Sequence, residues 1–529
     1  MTFPRKIGLL LILIALASAA GYECGLALPS LRWFYSFGPS PEKKSFISSL
    51  FALKNLDQAQ WIGHGLSGLM AVSGLLLLGL GGDFRWNPLT LRKLARFRAI
   101  TRGYRSFLIF MVLIVLALFD QALVGKQALA VRYEGRWYFP AFVRQRIAAS
   151  TFGSDSQADP DYRLLQQKFA KAGGLNRVWM PLVPFDPTFD TDNIQYRNLR
   201  SAEGIVNNHQ GSEPFSGIAY VIDLNDPQIK LQMATFRQGK RSGRAEVHDG
   251  KGETLAVEQW LDDKRQSRRA MQGDTLGDAL PADGLVWTEL LYPPAPPSIA
   301  SRHFLGTDSR GWDVTAQLYG GFQIILKAAV IYVFLTYLVG IVAGCSMGFF
   351  GGKYDLIGQR FVEVLSNVPF LYLVMIISSN IGRDNISLLV ILLVICAFSW
   401  IDVAGYLRSQ TYREKAREYV AAARVLGAGT GRIVFRHILP NSISTLVTLL
   451  PFSVVGIATA LTALDFLGFG LPAQYPSWGS LLSDGTSNLD AIWIVSSVFS
   501  LLVVTLLLIT FVGEAVREAF DPKKFTYYR

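Results

Sequence analysis

Long apolar runs alternate with polar segments along the whole chain. A transmembrane helix needs about 20 consecutive apolar residues. Eight stretches come close to that length: 7–27, 61–80, 105–124, 321–348, 361–380, 387–407, 441–463 and 490–513. The first is either a secretory signal peptide, since Arg5 and Lys6 precede it, or an uncleaved span. We favour the span because the apolar character continues to Leu28, so the pattern predicts a polytopic membrane protein.

Basic residues predict the orientation of these spans, because Lys and Arg accumulate in cytoplasmic loops. The segments 85–105 and 408–436 each carry seven basic residues, whereas the connection 465–490 carries none. The C-terminal tail is basic again, with Arg517 and Arg529 near its ends. One alternating topology satisfies every short connection and predicts that both termini are cytoplasmic.

The polar block 125–318 lies outside the cytoplasm in this topology, and its pattern predicts mostly β structure. Three pairs of strand-like runs flank turn residues, at 129–139, 218–236 and 245–257, and each pair predicts a hairpin. The stretch 237–269 is dense in Arg and Lys. It is interpreted as a solvated surface, or else as a basic patch that docks a partner or lipid headgroups.

Composition supports a membrane protein with a large aqueous part. Of 529 residues, 50% are hydrophobic and only 17% are charged, which excludes a disordered chain. The net charge of +11 falls largely in predicted cytoplasmic loops, so it does not indicate nucleic acid as a partner. Cys24, Cys345 and Cys396 lie in or beside apolar stretches and predict neither a disulfide framework nor a metal cluster.

The sequence contains little that predicts catalysis. The nearest approach to a P-loop is Gly351-Gly352-Lys353, but Tyr354 follows the lysine where serine or threonine is needed for magnesium, and no glycine stands at the required spacing before it. The chain is therefore expected not to be an enzyme. Ionisable residues in or beside spans mark ion pathways by default, but those present lie mostly near predicted membrane edges and form no relay. They are Lys327, Glu363, Asp402, Asp465 and Glu514.

The segment 411–440 is polar but patterned as a helix. Tyr419, Ala422, Ala423 and Leu426 recur at helical spacing, and the glycine-rich run 427–431 then breaks the helix. A second short helix is expected to Leu439, with Pro440 opening the next span. Two short helices joined by a glycine turn suit a groove in a partner protein. On periodicity alone, a purely structural cytoplasmic loop explains the pattern equally well.

Three separated motifs resemble one family. Ala421-Ala422-Ala423-x-x-x-Gly427 followed by His437-Ile438-Leu439-Pro440 resembles the EAA loop of ATP-binding-cassette importer permeases, which docks on the ATPase subunit. The two other motifs are similar to the dipeptide and oligopeptide branch: they comprise His303, Leu305, Gly306, Thr307, Asp308, Gly311 and Asp313 in one, and Asp465, Gly468, Gly470 and Pro476 in the other.

Finer features narrow this resemblance. The segments 131–140, 359–364 and 513–522 are similar to the Yej-type permease of microcin C and oligopeptide importers. Two departures matter: Ala421 replaces the acidic residue that names the loop, and Trp312 replaces a residue that is commonly Arg or Gly. Residues 1–85 and the insertion 204–284 have no counterpart in the family.

The resemblance implies a mainly α fold with a six-helix, MetI-like permease core. It divides the chain into four parts. Residues 1–85 are an N-terminal extension with two extra spans, and residues 86–124 are a basic segment with the first core helix. Residues 125–318 form a periplasmic domain with a β-rich insertion at 204–284, and residues 319–529 form the remaining core with five spans. The coupling loop is the segment 411–440.

The resemblance also implies a function. The chain is expected to be one permease subunit of a bacterial inner-membrane importer that moves oligopeptides or peptide-like compounds, microcin C-like ones included. Its implied partners are a second permease, P-loop ATPase subunits, a periplasmic substrate-binding protein and the lipid bilayer, while nucleic acid is not one. ATP and magnesium belong to the ATPase, so no cofactor is expected in this chain. A membrane-anchored periplasmic receptor and an ion-coupled secondary transporter are the alternatives.

Overall fold

A computed structural model describes most of the chain. The order of its helices and strands follows the predicted order of apolar spans and polar segments. The described residues are 3–24, 26, 58–80, 88–143, 147–153, 158–188, 195–202, 204–208, 211, 213–222, 230–249, 253–271, 286–291, 293–299, 301–381, 388–472 and 475–520. Statements below refer to these residues.

Helices account for most of the described residues. They are α1 (Phe3–Glu23), α2 (Gln58–Leu80), α3 (Pro88–Ala99), α4 (Thr101–Leu118), α5 (Tyr162–Ala172), α6 (Val314–Phe350), α7 (Gly352–Ser366), α8 (Phe370–Ile381), α9 (Leu388–Lys415), α10 (Glu418–Val425), α11 (Leu439–Phe466), α12 (Trp478–Ser487) and α13 (Ile492–Phe520).

Six helices in the described part of the chain are long and apolar enough to cross a membrane. They are Arg5–Glu23, Thr101–Leu118, Val314–Phe350, Leu388–Lys415, Leu446–Phe466 and Ile492–Phe520. They confirm six of the eight predicted apolar spans as helices. Helix α2 covers the predicted stretch 61–80 and contains the shorter apolar helical stretch Ser67–Leu78.

The expectation of one helix over 361–380 is wrong, because two helices share this stretch. Helix α7 ends at Ser366 and α8 begins at Phe370. Pro369 lies in the break, where it has no N–H to donate and disfavours helical backbone at Val368 before it. The Asn367 side chain instead caps the end of α7 by donating to the Glu363 carbonyl at 2.7 Å.

Close backbone contact holds α6 against α9. Gly340, Gly344 and Gly348 recur every four residues on α6 and therefore share one face. A Cβ atom on Gly348 would lie 2.6 Å from the Arg408 carbonyl oxygen, and one on Gly344 would overlap the Ala404 carbonyl. Small residues at such positions let two helix backbones approach each other in a membrane.

The contacts divide the chain into two compact units, which are described separately. The first comprises 1–190, 297–306 and 312–529 and includes all the helices above. It also contains a three-stranded antiparallel sheet in the order β2-β1-β3, formed by β1 (Ala130–Tyr133), β2 (Arg136–Tyr138) and β3 (Arg177–Trp179). Phe169 of α5 packs in one buried cluster with Val131 and Val178 of this sheet.

The second unit comprises 191–296 and 307–311, and the predicted insertion 204–284 lies inside it. Its main feature is a seven-stranded antiparallel sheet in the order β11-β10-β9-β8-β7-β12-β4, beside a small hairpin of β5 and β6. The strands are β4 (Gln195–Asn198), β5 (Arg200–Ala202), β6 (Ile205–Asn207), β7 (Gly217–Ile222), β8 (Lys230–Arg237), β9 (Lys240–His248), β10 (Thr254–Leu261), β11 (Lys264–Ala270) and β12 (Thr288–Leu291).

All three predicted hairpins are confirmed. Strand β1 pairs with β2 around a turn in which Glu134 and Gly135 both have positive φ, as a two-residue hairpin turn requires. Strands β7 and β8 pair, as do β9 and β10. The expected turn residues 225–227 and 250–252 lie outside the described residues.

We expect Gly344→Ala to destabilise the protein, because the added methyl group would overlap a backbone carbonyl that cannot rotate away. Overpacking of this kind costs about 1–3 kcal/mol. Gly405→Ala on the facing helix is the matched control, since nothing lies within 4 Å of its Cβ position. The thermal midpoint of the detergent-solubilised protein should fall for Gly344→Ala alone. Equal midpoints would contradict the close helix contact.

Candidate functional site

The segment 411–440 folds back onto the ends of α6 and α9 through one side of α10. Val420 and Ala423 lie three residues apart on that side and are buried. They share an apolar cluster with Ile433, Val434 and Ile438 from later in the segment, and with Phe349 and Leu407 at the ends of α6 and α9. We call these buried residues, Val420, Ala423, Ile433, Val434 and Ile438, the base of the segment, and they are part of the helix core.

The opposite side of α10 is free. Ala421 and Ala422 are exposed, and Val425 and Leu426 are 88% and 86% exposed. These four residues form what we call the docking face. It differs from the predicted stripe, because Ala423 points into the core and Tyr419 is half-buried. Two large apolar side chains at such exposure form an apolar surface of the kind found at interaction sites.

A Schellman motif ends α10 and fixes the position of the docking face. The Ala428 N–H donates to the Ala423 carbonyl at 3.0 Å, and the Gly427 N–H donates to the Arg424 carbonyl at 2.9 Å. Gly427 has φ +79°, a left-handed conformation that glycine adopts without steric cost. The glycine break after Leu426 was thus correctly predicted.

The expected second helical stretch is present, and Pro440 lies at the start of the next helix as predicted, but no break separates the two. A helical turn at Thr430–Arg432 continues through a π-helical stretch, Ile433–Ile438, directly into α11. Pro440 lies in the first turn of α11, where its missing N–H and its ring disfavour a regular α-helical turn before it, and the wider π turn accommodates this. His437 and Leu439 are half-buried and Ile438 is buried, so this part of the motif belongs to the helix core.

Polar contacts also hold the base of the segment. The Tyr419 hydroxyl donates to Glu414 at 3.0 Å, and burial raises the pKa of this tyrosine, so the phenol remains a donor at neutral pH. The Lys415 ammonium donates to the Phe349 carbonyl at the end of α6 at 2.5 Å. These contacts connect the end of α9 with both α6 and α10.

A further anchor joins α7 to α9. The Arg408 guanidinium donates twice to the Asp355 carboxylate, at 2.5 and 2.6 Å, and the Tyr412 hydroxyl donates to the same carboxylate at 2.8 Å. The arginine holds the pKa of Asp355 below its usual range. Sequence reasoning missed this site, because 53 residues separate the partners and no local spacing connects them.

At the other end of α6, the 303–313 motif forms its N-cap. Asp313 accepts a hydrogen bond from the Ala316 N–H at 2.7 Å and binds the His303 ring at 2.8 Å. The His303 ring also stacks on Phe185, with ring centroids 3.9 Å apart. A capped helix end with a buried histidine is a rigid element.

The middle of this motif belongs to the second unit. The Thr307 hydroxyl accepts a hydrogen bond from the Ala295 N–H at 2.7 Å, and buried Asp308 accepts from the Arg310 guanidinium at 3.0 Å. Gly311 has positive φ, as do Gly306 and Gly468 among the other motif glycines. The side chains of Thr307 and Asp308 thus stabilise their own loop.

The 465–479 motif is built around one carboxylate. Asp465 is buried at the end of α11 and accepts hydrogen bonds from the Leu471 N–H, at 2.5 Å, and from the Ser477 hydroxyl. Gly470 leaves room for it, since a Cβ atom there would overlap the carboxylate. Pro476 lies against Gly320 of α6. Asp465 is therefore a structural hydrogen-bond acceptor.

The docking face and the 303–313 motif lie at opposite ends of one long helix. Helix α6 has 37 residues and a length of about 55 Å at 1.5 Å per residue. Phe349, near the end of α6, packs against the base of the segment 411–440, and Asp313 caps the beginning of α6. The arrangement suits a device that transmits movement between two aqueous sides. Among the described residues, no group of His, Cys, Asp and Glu has the arrangement of a metal site.

Comparison with known proteins identifies relatives that match most of the chain. Residues 340–526 match the family described as binding-protein-dependent transport system inner membrane component. The chain is 30% identical to the inner membrane ABC transporter permease protein YejE of Escherichia coli over 83% of its own length and 99% of that protein. It is 32% identical to the peptidoglycan transport system permease protein YejE of Agrobacterium fabrum, over 83% of this chain and 94% of that one.

A second group of relatives matches less of the chain. The oligopeptide transport system permease protein OppC of Haemophilus influenzae is 33% identical over 43% of this chain and 73% of that protein. These relatives do not favour an anchored receptor or a secondary transporter. They confirm the resemblance that the three motifs indicated. The chain belongs to the YejE-like inner membrane permeases of binding-protein-dependent ATP-binding-cassette importers.

Proposed function

We propose that this permease moves peptides or peptide-like compounds, peptidoglycan-derived peptides included, across the bacterial inner membrane. The proposal takes its substrate class from the names of the relatives, which are described as peptidoglycan and oligopeptide transport permeases. The single structural observation that carries the coupling mechanism is the docking face, in which Val425 and Leu426 are exposed on a helix whose other side is buried.

The docking face receives the ATPase subunit. Burying a leucine side chain contributes about 1.5–3 kcal/mol, so two large apolar residues on a rigid helix give a useful fraction of a protein interface. Ala421, which replaces an acidic residue of the family motif, lies exposed on the same face. It gives up a salt bridge at that position, and contact here depends on shape and apolar area. ATP and magnesium are held by the ATPase, and this chain holds no cofactor.

Movement of the docking face is transmitted to other helices through two sets of side-chain contacts. Ile433 and Ile438 are buried against α10 and continue without a break into α11, whose far end holds the Asp465 loop. Arg408 joins α9 to α7 through Asp355. Closure of the ATPase pair therefore moves helices together instead of deforming a loop, and this is what alternating access between two discrete states requires.

The complete importer contains a second permease, two ATPase subunits and a periplasmic binding protein. The docking face lies on the cytoplasmic side with both termini, in accordance with the basic segments 85–105 and 408–436. Affinity purification of the tagged chain from its native membrane, with identification of the proteins that accompany it, tests this composition. Recovery of well-folded chain without a P-loop ATPase would argue against the importer assembly.

We expect Leu426→Asp to release the ATPase from the complex, because a carboxylate cannot be buried in an apolar contact. Loss of one buried leucine corresponds to a decrease in affinity of roughly tenfold to a hundredfold. Leu489→Asp is the matched control, since Leu489 is 77% exposed in the connection between α12 and α13. Co-purification should be lost only for Leu426→Asp, and loss in both variants would contradict a specific dock.

Gly427→Val should abolish coupled uptake while leaving the chain in the membrane. A β-branched residue at φ +79° costs about 1–2 kcal/mol and reorients the docking face. Gly429→Val is the control, because Gly429 has φ −68° and equally open surroundings. Uptake of a labelled peptide and substrate-stimulated ATP hydrolysis are measured in both variants. Normal uptake by Gly427→Val would remove the coupling role from this turn.

Asp355→Asn should lower both the thermal midpoint and the coupling of ATP hydrolysis to uptake. The change removes a charged acceptor from a buried bidentate pair and leaves the Arg408 cation without its partner. Because the pKa of Asp355 is depressed, its contribution is present at neutral pH and is lost only as the pH falls through the lowered pKa.

Glu363→Gln provides the control for this variant. It breaks an ion pair with Arg360 in the same helix α7, but both side chains are more than half exposed. Exposed pairs contribute about 0–1 kcal/mol, so this variant should behave as wild type. A similar loss in the two variants would show that Asp355 is no special anchor.

A further inference from the structure

The three-stranded sheet of the first unit has one covered and one open face. Val131 and Val178 point to the covered face, where α5 packs. Successive residues of a strand point to opposite sides. Arg132, paired with Trp137, and Ala130, paired with Trp179, therefore point to the other face. The motif 131–140, which the transport mechanism above does not use, supplies most of this face.

The open face carries an ordered group of aromatic rings. Trp137 stacks on Trp179 with centroids 5.3 Å apart and on Phe139 with centroids 6.3 Å apart. The Arg132 guanidinium lies 5.9 Å from the Trp137 ring centre. We call these four residues the aromatic face. Trp137 is 51% exposed and Trp179 is 40% exposed, so this face presents a large apolar surface that no other described part of the chain covers.

The helix α4, which precedes the small sheet in the chain, has an exposed apolar surface of its own. The exposed side chains of α4 are large and apolar, including Leu108, Val112 and Val115, and Phe119 at its end is half exposed. Large apolar residues of this kind are what a membrane helix presents to lipid. The exposed apolar surface thus reaches the end of the helix at Phe119.

Backbone hydrogen bonds tie β3 to the chain that leaves α4. The Val183 N–H donates to the Leu123 carbonyl at 3.0 Å, and the Leu129 N–H donates to the Trp179 carbonyl at 2.8 Å. Leu182, between these two ties, is 67% exposed. These ties hold the exposed apolar side chains at the end of α4, at Leu182 and on the aromatic face near one another, and this nearness favours the bilayer as the occupant over a separate protein.

We propose that the aromatic face lies in the headgroup layer of the outer leaflet, with Trp137 and Trp179 at the boundary of the acyl chains. Tryptophan rings favour this depth in membrane proteins, and arginine favours the phosphates beside it. The contact would keep the small sheet at a fixed height while the helices move.

Spin-label accessibility in nanodiscs of phosphatidylethanolamine and phosphatidylglycerol tests this proposal. In full-length protein with Cys24→Ser, which leaves only the buried Cys345 and Cys396, a nitroxide is attached at Trp137→Cys. Leu182→Cys is the second reporter, in case the first variant folds poorly. Lys168→Cys is the matched aqueous control, because it is exposed on α5, across the covered face of the sheet.

Power saturation with oxygen and with nickel-EDDA gives the readout. Labels at positions 137 and 182 should collide several-fold more often with oxygen relative to nickel than the label at position 168. Equal nickel access at all three positions would overturn the proposal. Protection at positions 137 and 182 that develops only after the periplasmic binding protein is added would also overturn it, in favour of a protein contact.

Discussion

The close contact between α6 and α9 is the constraint on which the rest of the structure depends. Because Gly340, Gly344 and Gly348 carry no side chains, the two helices approach closely over about two helical turns. In a membrane there is little hydrophobic force between helices, so this fit of small residues supplies the contact energy. It brings the end of α9 beside the end of α6, and every contact at the base of the docking segment follows from that position.

The docking segment shows how one short helix serves two surfaces. Its buried side shares a cluster with the ends of α6 and α9, which makes it part of the permease core. Its exposed side presents Val425 and Leu426, and the Schellman motif at the end of the helix fixes their position. A flexible loop would dissipate the movement of an ATPase, whereas a helix packed on one side passes it to α11 and, through Asp355 and Arg408, to α7.

Polar groups at the two ends of the core have the same physical role. Asp313 caps α6 and holds His303, while Asp465 organises the loop after α11 around two donors. In both cases a buried carboxylate satisfies its charge with nearby donors and gives a rigid turn. These residues maintain shape at the membrane edge, and proton transfer is not required of them.

The apolar helices, the three hairpins, the glycine turn and the family could be predicted from the sequence, because each depends on local period, turn chemistry or contiguous motifs. The prediction failed at the stretch 361–380, where apolar content obscured the break at Pro369, and it did not anticipate the π-helical stretch before Pro440. The fold was needed to show which side of α10 is exposed, which distant residue pairs with Arg408, and which face of the small sheet is open. These outcomes depend on contacts between residues far apart in the chain, and local spacing carries no record of such contacts.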